Sequence, residues 1–186
     1  MRYIYILSLL IFISCKTDTK NTENQKDSTE AALKQKALAD SIEKANKALA
    51  PKQTLSYKQY CNPRFQFCLN YPSNFIAQPP PVNGDGLSFI SSDSTVQFST
   101  WGAFDATFEG LEGNMASVSQ NRKITYKTMN DSSYVISGYE RDGSIFYQKT
   151  LFKKDIFYTF QLIYPDSLRS TYDEACAKIG ESFKIK

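Results

Sequence analysis

The apolar and polar positions divide the chain into three stretches. From Ile4 to Ile13 the residues are apolar except Tyr5 and Ser8, with Arg2 in front. A run of about ten matches the core of an export signal and is well short of the ~20 residues of a membrane-spanning helix. From Lys16 to Glu30 no residue is apolar. Burial there cannot offset the entropy lost on ordering, so a flexible tether is expected. Ala31 to Ala50 is rich in the helix formers Ala, Lys, Leu and Glu. Leu38, Ile42, Ala45 and Leu49 recur at helical spacing and make one thin apolar stripe. Ser28, or Asp27 with Glu30, can cap this helix, and Pro51 ends it.

Beyond residue 56 the period changes to two. Phe65, Phe67 and Leu69 alternate with Gln66, Cys68 and Asn70, and Tyr71-Pro72 stops the run. The stretch Pro79-Pro80-Pro81 to Asn83-Gly84-Asp85-Gly86 reads as a long turn. Strands are expected at Leu87 to Ile90, Val96 to Trp101, Ile124 to Met129, Tyr134 to Arg141, Ser144 to Phe152 and Ile156 to Tyr164. Asp142-Gly143 and Lys154-Asp155 are the turns of the last hairpins. Phe108, Leu111, Met115 and Val118 predict a short helix, and Leu168 to Phe183 a longer one. Its buried face would carry Tyr172, Ala175, Cys176, Ile179 and Phe183.

The last two strands are apolar on both sides. Ile145, Tyr147 and Leu151 oppose Phe146 and Phe152, while Ile156, Tyr158, Phe160, Leu162 and Tyr164 oppose Phe157 and Ile163. A sheet with two apolar faces is covered twice. The connections are too short for parallel crossovers. The expected class is α+β: an antiparallel sheet covered on both faces by helices and long segments. The expected organisation is a signal at 1–14, a lipid-anchored tether and helical stalk at 15–56, and the folded domain at 57–186.

Composition narrows the chemistry. The net charge of +3 is spread along the chain without a basic cluster, so no nucleic-acid partner is expected. There is no histidine, which removes the Ser-His-Asp and Cys-His arrangements and the commonest metal-ligating nitrogen. Asp85, Asp93, Asp105, Glu109 and Glu112 lie near predicted turns and read as solvated. An envelope hydrolase using paired carboxylates is the alternative they leave open. No glycine-rich phosphate loop is present, and neither a cofactor nor a metal is expected.

Four cysteines remain to be assigned. Phe12-Ile13-Ser14-Cys15 resembles the lipobox of bacterial lipoproteins, although Phe12 stands where Leu is usual. The resemblance implies cleavage before Cys15, a diacylglyceryl thioether on its sulfur and acylation of the new amino group. Such multiple chains anchor a protein stably. No Asp follows Cys15, so the outer membrane is expected over the inner one. Cys61 and Cys68 can form a local disulfide, Cys68 can reach Cys176 on the last helix, or the thiols can stay free. Tyr57, Tyr60, Trp101, Phe104 and Phe108 are the candidates for a ligand or partner patch.

Five further segments carry a resemblance. Asn62-x-Arg64-Phe65-x-Phe67-x-x-x-Tyr71-Pro72, then Asp85-Gly86 before a Phe-Ile strand, is similar to the opening of the Mog1/PsbP-like fold. So are Tyr134-Val135-Ile136-Ser137-Gly138, Ile145-Phe146-Tyr147-Gln148-Lys149 and the closing Glu181-Ser182-Phe183-Lys184. The likeness spans about residues 57–186 and rests on strands, turns and core aromatics. It implies a binding or scaffolding role rather than catalysis. The expected function is therefore a lipid-anchored, non-enzymatic binding or accessory protein of the cell envelope, held to the membrane through Cys15 and able to meet an envelope protein. A structural lipoprotein self-associating through its N-terminal helix is a further alternative.

Overall fold

The computed structural model describes residues 32–39, 41–42 and 55–186. The expected signal, the expected lipidation site Cys15, the polar tether and the helix caps lie outside the described residues, as do Ala45, Leu49 and Pro51. The described part falls into two units, one before residue 52 and one after it. In the first, residues 32–39 and 41–42 are helical (α1) and exposed.

The second unit opens with a hairpin of β1 (Tyr57–Asn62) and β2 (Phe67–Pro72). Asn62 starts its turn: the side-chain Oδ1 accepts the Phe65 N–H at 2.8 Å. Gln66 closes the turn at φ 53°. Strand β2 therefore begins at Phe67, and Phe65, expected within the strand, lies in the turn instead. Then follow β3 (Phe75–Ala77), β4 (Gly86–Ser91), β5 (Gln97–Phe104) and helix α2 (Gly110–Ser119). The hairpins continue with β6 (Lys123–Asn130), β7 (Ser133–Tyr139), β8 (Ile145–Lys153) and β9 (Ile156–Tyr164). A 3-10 turn at Asp166–Leu168 leads into α3 (Arg169–Ser182), and β10 (Lys184–Ile185) follows.

The strands form two sheets rather than the single one expected. Seven make an antiparallel sheet in the order β3-β4-β5-β9-β8-β7-β6, while β1, β2 and β10 pair separately in the order β1-β2-β10. Side-chain alternation sends the two apolar sets of β8 and β9 to opposite faces, as their sequences require. On one face, Tyr158, Phe160 and Leu162 pack with Phe67 and Leu69 of the small sheet and with Tyr172, Cys176 and Ile179 of α3. On the other, Phe146 and Phe157 pack with Tyr134 and Ile136 beneath Leu111 of α2. The first face is thus covered jointly by α3 and the small sheet, and α2 serves the second.

The second face also carries a buried polar row. The Gln148 amide Nε2 donates to the Tyr134 hydroxyl at 2.9 Å, which donates to Asn114 Oδ1 at 2.7 Å. Thr150 and Thr159 share a hydroxyl contact at 3.0 Å. Each group finds a partner, so the row fixes the register of β7, β8 and β9 with its desolvation offset by hydrogen bonds.

Candidate functional site

Strand β5 decides where the expected aromatic patch lies. Trp101 pairs across from Thr159 and Phe104 from Ile156. Three positions apart on a strand means opposite faces. Trp101 therefore faces the α2 side, and Phe104 the side of the small sheet. Tyr60 packs edge-on against Phe67 and Phe89, at 6.3 and 5.9 Å between ring centroids. Tyr57 is half-buried, with the Lys178 ammonium 5.8 Å from its ring; burial holds its hydroxyl above the ordinary tyrosine range, against the pull of Lys178. Among the five candidates, Phe104 and Phe108 are the strongly exposed pair, at 63% and 86%.

A buried carboxylate fixes the loop that carries Phe108. Asp105 is the residue after β5, and its two oxygens accept the Glu109 N–H at 3.1 Å and the Gly110 N–H at 2.9 Å. Its own N–H donates to the Asp155 carbonyl at 2.8 Å, tying the loop to the β8–β9 turn. Between these anchors Phe108 adopts φ 55°. A bulky side chain rarely occupies the left-handed region, and it does so here while facing solvent.

Beside Phe104 the surface sinks into a depression of about 260 Å³. Its floor is aromatic: Phe65 lies 5.4 Å from Phe104 between centroids, and Tyr158 lies alongside. Its rim is cationic, with Arg64, Lys153, Lys154 and Lys186, and no carboxylate side chain lines it. Two left-handed residues, Lys154 and Asp155 at φ 53° and 57°, make the tight turn that places the lysines. Arg64 bridges to Asp85 and donates to the Asn83 carbonyl at 2.6 Å. Sequence reasoning misses these cations because they are dispersed along the chain. The one visible signal is Lys153-Lys154 at a hairpin tip.

On the opposite face a groove of about 410 Å³ runs over β4 and β5. Trp101, Pro79, Pro81, Ser88 and Ser99 line it, and the two serine hydroxyls lie 2.9 Å apart. Gly86 pairs directly with Trp101, and a Cβ there would meet the Thr100 carbonyl at 2.0 Å.

The acidic candidates lie in different local settings. Asp85 is bound to Arg64 and Asn83. Asp93 accepts Ser91 Oγ at 2.5 Å and the Thr95 N–H at 3.1 Å, and these bonds, that from Ser91 foremost, hold its carboxyl below the usual range. Asp142 is likewise lowered, first by the Ser144 N–H. Asp105 is the loop lock described above. Among the described residues no group of three or more Cys, Asp or Glu is placed to hold a metal ion.

Cys61 and Cys68 face each other across β1 and β2 and are joined by a disulfide, with Cα atoms 4.1 Å apart. The bridge to Cys176 considered in the sequence does not form. Cys176 is a free, buried thiol under α3, and burial pushes its pKa upward, as expected of an inert cysteine. Among the described residues no helix is long and apolar enough to cross a membrane.

The domain's two-sheet, three-layer arrangement defines a class of folds, and solved structures share it. The cyanobacterial PsbP protein (CyanoP) of Synechocystis superposes with a TM-score of 0.54 at 12% identity, covering 74% of this chain and 96% of that one. The Ran-binding protein Mog1p of Saccharomyces cerevisiae superposes with a TM-score of 0.50 at 7% identity, covering 71% and 96%. The chain has the PsbP/Mog1-like α+β fold. No family model matches the sequence, and no curated protein does.

Proposed function

We propose that this protein is a lipid-anchored, non-enzymatic binding or accessory protein of the bacterial cell envelope, residing at the outer membrane. The observation that carries the binding role is the exposure of Phe104 and of Phe108, the latter on a loop held by buried Asp105. A fully exposed Phe forgoes ~1.5–3 kcal/mol of burial. A loop that already holds the ring in place loses little entropy when a partner covers it. The fold is compatible with this role: Mog1p, which shares it, is a Ran-binding protein. Asp85, Asp93 and Asp105 each engage local donors rather than one another, which favours binding over hydrolysis. The anchor rests on Phe12-Ile13-Ser14-Cys15 and on the polar stretch after it.

A second reading, self-association through α1, is favoured by Leu33, Leu38 and Ile42, all more than half exposed.

A photo-cross-linking residue at position 108 of the anchored chain, expressed in its own cells, tests the binding role. A discrete adduct that disappears on Asp105→Ala is expected. Adducts no stronger than those from a control position on exposed β6 would contradict it.

A further inference from the structure

We infer that the depression beside Phe104 is a docking site for an acidic protein segment with apolar side chains, a partner chemistry that rests on the binding role proposed above. Charge complementarity selects the acid. Four cationic side chains line the depression and no carboxylate side chain does. Arg64 is engaged by Asp85, so Lys153 and Lys154 at the hairpin tip set the local sign. Asp155 in the same turn offsets part of one charge. The aromatic floor selects the apolar anchors. Phe65 is buried and rigid beneath Phe104, which stands 63% exposed at the rim. An apolar centre ringed by charge is the anatomy of a protein-binding patch.

The site is also built in advance. Gln66, Lys154 and Asp155 all hold left-handed backbone in the turns that frame it. Asn62 fixes the first of these turns and donates to the Gly84 carbonyl at 2.9 Å. Lys186 N–H donates to the Gln66 carbonyl at 2.8 Å, which sets the last cation in place. A concave floor favours a peptide over a bilayer. Side chains projecting from a strand or loop can enter it, whereas a lipid surface presents a plane of headgroups.

The test uses the full chain in detergent micelles and a fluorescein-labelled peptide of alternating Glu and Leu, read by anisotropy. Matched peptides of alternating Lys and Leu, and of alternating Glu and Ser, are the controls. The Glu-Leu peptide is expected to bind, and to weaken about tenfold between about 50 and 500 mM salt. Neither control should match it. Lys153→Glu with Lys186→Glu, and separately Phe104→Ser, should each weaken binding about tenfold or more with the circular-dichroism melt unchanged. Lys153→Gln with Lys186→Gln provides a milder variant should charge reversal disturb folding. Equal binding of the Lys-Leu peptide, or indifference to the variants, overturns the proposal. So does capture of phosphatidylglycerol vesicles without peptide binding. If the peptide fails while the cross-link at position 108 persists, the partner chemistry is wrong and the binding role stands. If both fail, both fall.

Discussion

Asp105 carries more of the site than its exposed neighbours do. It is a buried carboxylate whose oxygens accept two backbone N–H groups at the start of α2. Removing it leaves those donors without a partner in a partly buried place. Asp105→Ala should therefore lower stability by ~1–3 kcal/mol in urea unfolding, and an unchanged midpoint would show that the lock contributes nothing. Tyr147 gives a second test at this scale. Burial pushes its hydroxyl up to about 12, and the folded state thus favours the neutral phenol. The pKa is raised on folding, so the contribution is complete below pH 10 and is lost as pH rises toward 12. Tyr134, Tyr158, Tyr164 and Tyr172 are shifted the same way, each chiefly by burial. Lys149, lowered by burial, works in the opposite sense. The melting temperature should fall between about pH 10 and 12, and Tyr147→Phe should flatten part of that fall while leaving the neutral-pH value near wild type. A wild-type slope in the variant would exclude Tyr147. Residue identity alone groups Trp101 with Phe104, because the apolar pattern ends the strand at Trp101. Backbone pairing of Ala103 and Phe104 with β9 extends it and turns the two rings apart.

At the scale of elements, the long hairpins β6 to β9 and helices α2 and α3 are legible in the sequence, because each has a sustained period and turn residues such as Asp142-Gly143. Strands β1, β3 and β10 are not. Strand β1 is polar at most positions, and β3 and β10 have three and two residues, too short for any period to show. The β1–β2 hairpin has its own staple. The Cys61–Cys68 bridge closes a short loop, and loop-closure entropy assigns it about 2–3 kcal/mol. Cys61→Ser with Cys68→Ser should lose about that much in urea unfolding, with the small sheet loosening first by hydrogen exchange. Uniform exchange across both sheets would contradict a local role. Helix α1 has its own test: polar residues at Leu38 and Ile42 would dissolve any oligomer formed through it, seen by sedimentation. Sedimentation coefficients unaltered by these changes would remove α1 as a seam.

At the scale of the whole molecule, the apolar residues on both faces of β8 and β9 are enough to require a twice-covered antiparallel sheet. Which element covers which face is not written in them, since the small sheet assembles from segments more than a hundred residues apart. The cationic rim of the depression is hidden for the same reason. On the proposed function, what the chain does with this domain depends on an anchor at Cys15. Intact-mass and peptide mass spectrometry of the mature chain from membrane fractions is the most direct measurement. The mature chain is expected to begin at Cys15, with a diacylglyceryl group on its sulfur and an acylated amino group. An unmodified Cys15 in a soluble secreted product would refute the anchor and the envelope placement with it.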